Sequence, residues 1–227
     1  MKIFITGSTT GLGLYAGEKL LNQGHEVVFH ARNQSSKKLD ECQYVYGDLK
    51  NLSEVKQMAQ DLNKLGVFDT VIHNAGIYEG SPEELLTVNA LAPYLLTTLI
   101  HKPQRLIFLS SRMHLAGKLN LDENECTYSD TKLFDLMLAK HFGRIWPDVF
   151  SNAVDPGWVP TRMGGSGAPD NLDLGSETQV WLASSNEKEA LVTGKFFHHK
   201  KEGRVNPLAN SIEAQESLIH FFDSLVE

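Results

Sequence analysis

Tyr128 and Lys132 stand four positions apart in Tyr128-Ser-Asp-Thr-Lys132, a spacing that sets two side chains on one face of a helix. A phenol beside an ammonium is a usable acid, because the cation favours the phenolate and draws the tyrosine pKa down towards physiological pH. Tyr15 and Lys19, and Tyr46 and Lys50, repeat the spacing, so context has to choose among three pairs. Other groups with reactive or ligating chemistry are few. His198-His199 has no third ligand at a recognisable spacing and leads into Lys200-Lys201, which reads as a solvated loop rather than a metal site. Cys42 and Cys126 form no metal or redox spacing and are expected as free thiols, Cys126 in the loop just before Tyr128.

The elements that must position such an acid can be read in chain order. Ile3–Ile5 is a short apolar run, followed by Thr6-Gly-Ser-Thr-Thr-Gly11-Leu-Gly13 and an amphipathic stretch to Leu21. This is strand, glycine turn and helix, in which glycines let the backbone approach a pyrophosphate at the helix N-terminus. Tyr15 and Lys19 fall inside that helix as packing and solvent residues. Glu26–His30 is a second strand ending in Ala31-Arg32-Asn33. A carboxylate at this place suits the adenosine 2'-hydroxyl of NAD, whereas Arg32, with Asn33 and Ser35, favours the 2'-phosphate of NADP(H).

Gln34–Cys42 is too short for a full helix and reads as a loop, and Gln43–Tyr46 is the third strand. Tyr46 and Lys50 therefore straddle a strand end and do not face each other. Asp48 either accepts from an adenine amino group or caps the helix that begins near Ser53. Phe68–His73 is the fourth strand, ending in the small residues Asn74-Ala75-Gly76, and one helix spans Pro82–Ile100. Asn89, among the apolar residues of that helix, is a satisfied core polar group or a kink. Arg105–Leu109 is a fifth strand leading to Ser110-Ser111 and an irregular segment. Tyr128–Phe142 has helical periodicity, so the third pair does lie on a helix. Val149–Val154, a glycine-dense loop over Met163–Pro169 expected to be mobile above the substrate, a helix over Leu174–Ala183, a strand over Thr193–Phe197 and a helix over Ile212–Leu225 complete the chain. Strands alternating with helices after a glycine turn predict an α/β fold, a three-layer Rossmann-type doubly wound parallel sheet with helices on both faces and ligands at the strands' carboxyl ends.

Composition sets the outer limits. The chain has 227 residues, 41% of them hydrophobic, and a formal charge of -7. It can bury one substantial core, so a single NADP(H)-binding domain over 1–227 is expected, with the substrate loop at about 162–174. The acidic balance argues against nucleic acid or an anionic membrane surface. The opening residues are too short for a signal-peptide core and no apolar run approaches membrane-spanning length, so a cytoplasmic protein is expected.

With these motifs in order, the sequence resembles the core subgroup of the short-chain dehydrogenase/reductase family from Lys2 to about Phe197. The resemblance rests on Thr6–Gly13, Gly47-Asp48-Leu49, Asn74-Ala75-Gly76, Val88-Asn89, Leu109-Ser110-Ser111, Tyr128–Lys132, and Pro156-Gly157 followed by Thr161. It implies that Ser111 hydrogen-bonds the substrate oxygen, that Tyr128 donates the proton, that Lys132 lowers the tyrosine pKa and binds the nicotinamide ribose, and that Asn89 helps hold a proton-relay water. For the cofactor it implies contacts from Gly7, Ser8, Thr9, Thr10, Gly11, Leu12 and Gly13, from Arg32 and Asn33, and from Asp48 and Leu49. Asn74, Ala75, Gly76, Tyr128, Lys132, Pro156, Gly157, Val159 and Thr161 complete that implied set, with Asp48 at adenine and Thr161 at the carboxamide.

His73, Ala92 and Phe150 depart from the family pattern at places that bear on pocket shape and subunit contacts. The spread between Ser111 and Tyr128, with His114 inside it, is similar to the retinol-dehydrogenase-like and carbonyl-reductase-like branches, and Trp158 with Met163-Gly-Gly agrees. The expected activity is hydride transfer between NADP(H), preferred over NAD(H), and a small carbonyl or alcohol. The partners expected are that substrate, no nucleic acid and no membrane, with a homo-oligomer left open. The rival expectations are an inactive nucleotide-sensing regulator, which need not retain the serine, tyrosine and lysine, and an extended-type epimerase or dehydratase, for which the chain is short.

Overall fold

The computed structural model describes residues 1–36 and 39–226. Among the described residues eight strands form one sheet: β1 (Lys2–Ile5), β2 (Glu26–Ala31), β3 (Gln43–Tyr46), β4 (Thr70–His73), β5 (Arg105–Leu109), β6 (Phe150–Asp155), β7 (Phe196–His198) and β8 (Lys201–Glu202). Their order is β3-β2-β1-β4-β5-β6-β7-β8. Every neighbouring pair is parallel except β7 with β8. Central strands read as continuous apolar runs because both faces are covered. β5 is buried along its whole length.

Helices α1 (Gly11–Asn22) and α6 (Leu172–Ser184) cover one face, where Ala16, Leu20, Val180 and Trp181 meet Ile3, Ile5 and Phe29. Helices α2 (Leu52–Lys64), α4 (Ala92–Leu99), α5 (Tyr128–Ile145) and α7 (Ile212–Val226) cover the other, with Met58, Leu95, Phe134 and Phe222 against Phe4 and Phe108. This is the expected three-layer doubly wound sheet. Successive strands are laid down in one direction from β1 to β3 and in the other from β4 onward, and this switch between β1 and β4 opens a crevice at their carboxyl ends.

Several local expectations change. The expected helix over Pro82–Ile100 is α3 (Pro82–Leu86), one π-helical turn over Thr87–Leu91, and then α4. Pro93 explains the break: it has no N–H for the carbonyl of Asn89, and its ring would crowd that carbonyl in a regular helix. The segment after Ser111 holds a 3₁₀ turn, Arg112–Ala116. The last parallel strand pairs only over Phe196–His198, and β8 returns antiparallel through His199 and Lys200, both at positive φ (48° and 60°). His198-His199 is thus a strand end and a hairpin turn, not a loop. Residues 34–36 and 39–42 carry no helix or strand. Lys37 and Lys38, in the expected loop, lie outside the described residues. Among the described residues no helix is long and apolar enough to cross a membrane.

Candidate active site

The glycine turn leaves β1 and opens α1. Gly7 has φ +61°, and a Cβ there would lie 2.8 Å from the Cβ of Ala75. A Cβ on Gly13 would lie 2.6 Å from the Gly7 carbonyl oxygen. Side chains at either position would fill the cradle. The α1 N-cap, Thr10, makes no side-chain bond to the first turn, and no acidic residue sits there. The helix therefore presents uncapped N–H groups of the sort that bind an anion. Ser8 does not face this cradle: it is buried, its hydroxyl donates to the Ile5 carbonyl at 2.8 Å and accepts from the His30 N–H at 2.9 Å. The cradle also depends on His30, whose role was not read from the sequence. Its Nδ1 accepts from the Gly7 N–H at 2.9 Å and its Nε2 lies 2.8 Å from the Gly47 carbonyl. Since an acceptor at Nδ1 requires the proton on Nε2, the ring is neutral, and burial holds its pKa below the ordinary value.

At the ends of β2 and β3, Arg32 Nε lies 3.8 Å from Asp48 Oδ2, with the arginine side chain 66% exposed. Asp48 does not cap the next helix; Asn51 does, accepting from the Ser53 and Glu54 N–H groups. Asn33 accepts from Ser35 and Ser36 within its own turn, and Leu49 is buried in the core. Asn74 donates to the Thr6 and Gly7 carbonyls, and the Ala75 N–H bonds the Thr6 hydroxyl, so the β4 end is tied to the glycine turn. Thr161 approaches the same turn, 3.4 Å from where a Gly11 Cβ would lie. Val159, Leu12 and the Pro156 carbonyl converge on Gly175 at the start of α6. The Gly157 N–H bonds the side chain of Asp155.

Tyr128 is the first residue of α5, set by Thr127 and Asp130 in a capping box. Lys132 follows one turn on, with Nζ 5.5 Å from the centre of the Tyr128 ring. That ammonium donates to the Leu109 carbonyl at 2.7 Å and to Asp135 Oδ2 at 2.8 Å. The two ends of β5's serine pair diverge. Ser110 is buried and donates to the Lys132 carbonyl at 2.6 Å. Ser111 is half-buried and caps the 3₁₀ turn, accepting from the Met113 N–H at 3.2 Å, which leaves its own O–H available. Asn89 sits in the π turn with its amide tied to both the N–H and the carbonyl of Ile77 and to Thr131 Oγ1. It is a satisfied polar group and a helix irregularity at once. A Cβ on Gly76 would lie 3.3 Å from Asn89 Oδ1 and 3.6 Å from Lys132 Nζ, so Asn89, Gly76, Lys132 and the β5 end meet at one place.

The rejected pairs differ in setting. Lys19 lies 5.3 Å from the Tyr15 ring centre, almost the separation of the chosen pair, but is turned to an exposed ion pair with Asp173. Lys50 pairs with Glu84. Burial and neighbours, rather than distance, separate Lys132 from Lys19.

The protonation state corrects one expectation. Burial raises the Tyr128 pKa above its ordinary value and outweighs the downward pull of Lys132, with Asp135, Asp155 and Tyr78 adding to the rise. The phenol is accordingly a protonated donor in this structure. Burial works against the Lys132 ammonium, yet Asp135 and Tyr128 outweigh it and its pKa is raised. Burial also pushes Asp135 up to about 7 against the pull of Lys132. Around this centre lie Tyr78 and Asp155, whose part in the site was not read from the sequence, and Cys126, which was expected as a loop thiol. Tyr78 meets the Tyr128 ring edge-on at 4.9 Å. Asp155, 3% exposed, stands 3.0 Å from Arg112 Nε and 3.1 Å from His198 Nδ1. Cys126 is buried, and burial pushes its thiol up to about 12.

The chain matches the family model described as short chain dehydrogenase over residues 1–171. It is 38% identical to an uncharacterized oxidoreductase, AN7799, of Emericella nidulans, with 96% of this chain and 94% of that protein covered. It is 26% identical to human retinol dehydrogenase 14, covering 91% of this chain and 80% of that one. The Pseudomonas aeruginosa RhlG/NADP active-site complex superposes with a TM-score of 0.74 at 18% identity, over 87% of this chain and 93% of that one. A glycine cradle at the β1 end and a tyrosine and lysine on α5, under a family model that spans most of the sequence, lead to one conclusion: the chain belongs to the short-chain dehydrogenase/reductase family of oxidoreductases and has retinol-dehydrogenase-like relatives.

Proposed function

We propose that this single-domain chain is a cytoplasmic NADP(H)-dependent oxidoreductase acting on a small carbonyl or alcohol, with Tyr128 as general acid in reduction and general base in oxidation. The burial of Lys132 against the Tyr128 ring, 5.5 Å from its centre and 5% exposed, carries the proposal. An ammonium there stabilises negative charge on the phenol oxygen as the proton leaves. Ser111, with a free O–H, donates to the same substrate oxygen and stabilises the charge that develops on it. Asn89 and Lys132 both border Gly76, and in the π turn Pro93 leaves the Asn89 carbonyl without a donor four residues on; that carbonyl is suited to hold a relay water.

The Gly7–Gly13 cradle and the uncapped start of α1 fit a pyrophosphate. Arg32, with the uncharged Ala31 before it, fits a 2'-phosphate, and Lys132 a ribose hydroxyl. When bound, the nicotinamide supplies hydride chemistry. Support for the phosphate-bearing form comes from Arg32 and from the NADP in the RhlG complex.

A panel of aldehydes, ketones and quinones with NADPH tests the activity. Tyr128→Phe is expected to lower kcat by about 100-fold or more with NADPH affinity retained; turnover equal to wild type would refute the assignment. Fluorescence titration tests the cofactor: NADPH should bind more tightly than NADH, and Arg32→Ala should remove most of the difference. Equal affinities in the wild type would refute that part alone.

A further inference from the structure

We infer that Asp135 is a positioning residue: its carboxylate is the counter-ion that keeps Lys132 an ammonium, and fixes where that ammonium points, at a place solvent hardly reaches. For its catalytic consequence the inference rests on the function proposed above; for the ion pair it rests on geometry alone.

Asp135 lies three residues after Lys132, and the side chains are 2% and 5% exposed. Asp135 is buried, as are its sequence neighbours Leu133, Phe134, Leu136 and Met137. A carboxylate in such company needs a partner, and among the described residues its one hydrogen-bond partner is Lys132 Nζ, at 2.8 Å. It caps no helix and bonds no backbone group, so the lysine is what it serves. Lys132 has three N–H donors. Asp135 takes one and the Leu109 carbonyl takes another, which leaves the third for the Tyr128 side of the site.

The other ionisable groups that bear on this centre are the Tyr128 phenol on α5, Tyr78 in the loop after β4 and Asp155 at the end of β6. Asp135 alone among them hydrogen-bonds the lysine. Without it, the ammonium would keep only the neutral Leu109 carbonyl, and a buried amine so placed sheds its proton rather than remain charged. A neutral amine could no longer attract a phenolate, and it would be free to swing off the line set by Leu109 and Asp135.

The test is NMR of [15Nζ]lysine-labelled protein without cofactor, with the Lys132 signal identified by its loss in Lys132→Met. In the wild type the ammonium signal should persist past the pH at which a free lysine loses its proton. In Asp135→Asn the proton should leave at least about tenfold more readily, a midpoint one pH unit lower. The alkaline limb of kcat/KM for carbonyl reduction should move down by the same amount, and Asp135→Glu should restore both. An unmoved lysine midpoint in Asp135→Asn overturns the inference, and a moved lysine with an unmoved pH profile overturns its catalytic half. If Asp135→Asn does not fold, the double variant Lys132→Met/Asp135→Asn decides. A folded double variant supports the pairing; an unfolded one overturns it, because Asp135 would then serve something other than Lys132. The NMR measurement needs no turnover, so an active Tyr128→Phe would refute the proposed function and leave the ion pair standing, and the converse holds.

Discussion

Acidification should unfold this protein partly through one histidine remote from the acid-base centre. His73 ends β4, 2% exposed, with Nε2 donating to Thr97 Oγ1 at 2.8 Å, since the threonine hydroxyl itself donates to the Pro93 carbonyl. Its ring stacks on Phe108 at 4.8 Å, and Nδ1 has no partner. A second proton would have to be placed on that orphan nitrogen, so burial pushes the pKa down from 6.5 to about 3. The unfolded chain takes up this proton near pH 6.5, while the folded one resists. The contribution is therefore complete above pH 6.5 and is lost progressively as pH falls towards 3. At about 1.4 kcal/mol per pH unit the whole window is worth about 5 kcal/mol, of which about 3 kcal/mol should be lost by about pH 4.5. That is a large share of the roughly 5–15 kcal/mol that holds a typical domain folded.

Urea unfolding at several pH values between about 7.5 and 4.5, for wild type and His73→Phe, isolates the effect, because other titrating groups cancel in the difference. Phenylalanine keeps the stack on Phe108 and loses the Thr97 bond by an amount that does not depend on pH. The difference in unfolding free energy should drift in favour of the variant by about 3 kcal/mol across that range. A difference constant to within about 0.5 kcal/mol would refute the claim that burial keeps this ring neutral.

The serine pair should separate cleanly. Ser111→Ala should lower kcat by about 100-fold and lose the cap bond to the Met113 N–H, about 1 kcal/mol of stability, whereas Ser110→Ala, which removes a buried bond to the Lys132 carbonyl, should cost a similar amount, about 1 kcal/mol, and leave kcat within about threefold; pairing kinetics with urea melts checks both. Gly13→Ala should abolish NADPH binding by fluorescence titration and destabilise by about 1–3 kcal/mol, because its methyl would press on the Gly7 carbonyl. Unaltered binding in that variant would show that the cradle has room to spare.

Much of the scaffold could be read from residue types, for reasons that also explain what could not. Apolar runs such as Arg105–Leu109 and the wide apolar face of Tyr128–Phe142 announce strand and helix because burial imposes a period on the chain. Tyr128 could be preferred over Tyr15 because only one of the two helices follows a strand that ends in paired serines. The π turn was signalled too, by Pro93 four residues after Asn89, yet the stretch still reads as one helix when only its apolar pattern is counted. Asp135 was equally visible as a lone acid inside an apolar helix face. His30 was not: it meets Gly7 and Gly47 across 23 and 17 residues of chain, and the register that brings them together belongs to the folded sheet. The direction of the Tyr128 shift was likewise hidden, since spacing reports the neighbouring cation and says nothing of how much water is excluded.

The π turn also sets a phase. A regular helix advances by about 100° per residue, so one surplus residue between α3 and α4 rotates everything after it by that angle relative to everything before. Leu85 and Leu86 ahead of the turn and Leu95, Leu96 and Thr97 beyond it are all buried. Removing one residue between Thr87 and Leu91 would swing α4 out of step, carrying Thr97 away from His73 while Asn89 stayed with Ile77. The length of this turn, as much as its sequence, keeps the acid-base centre and the β4 end in common register.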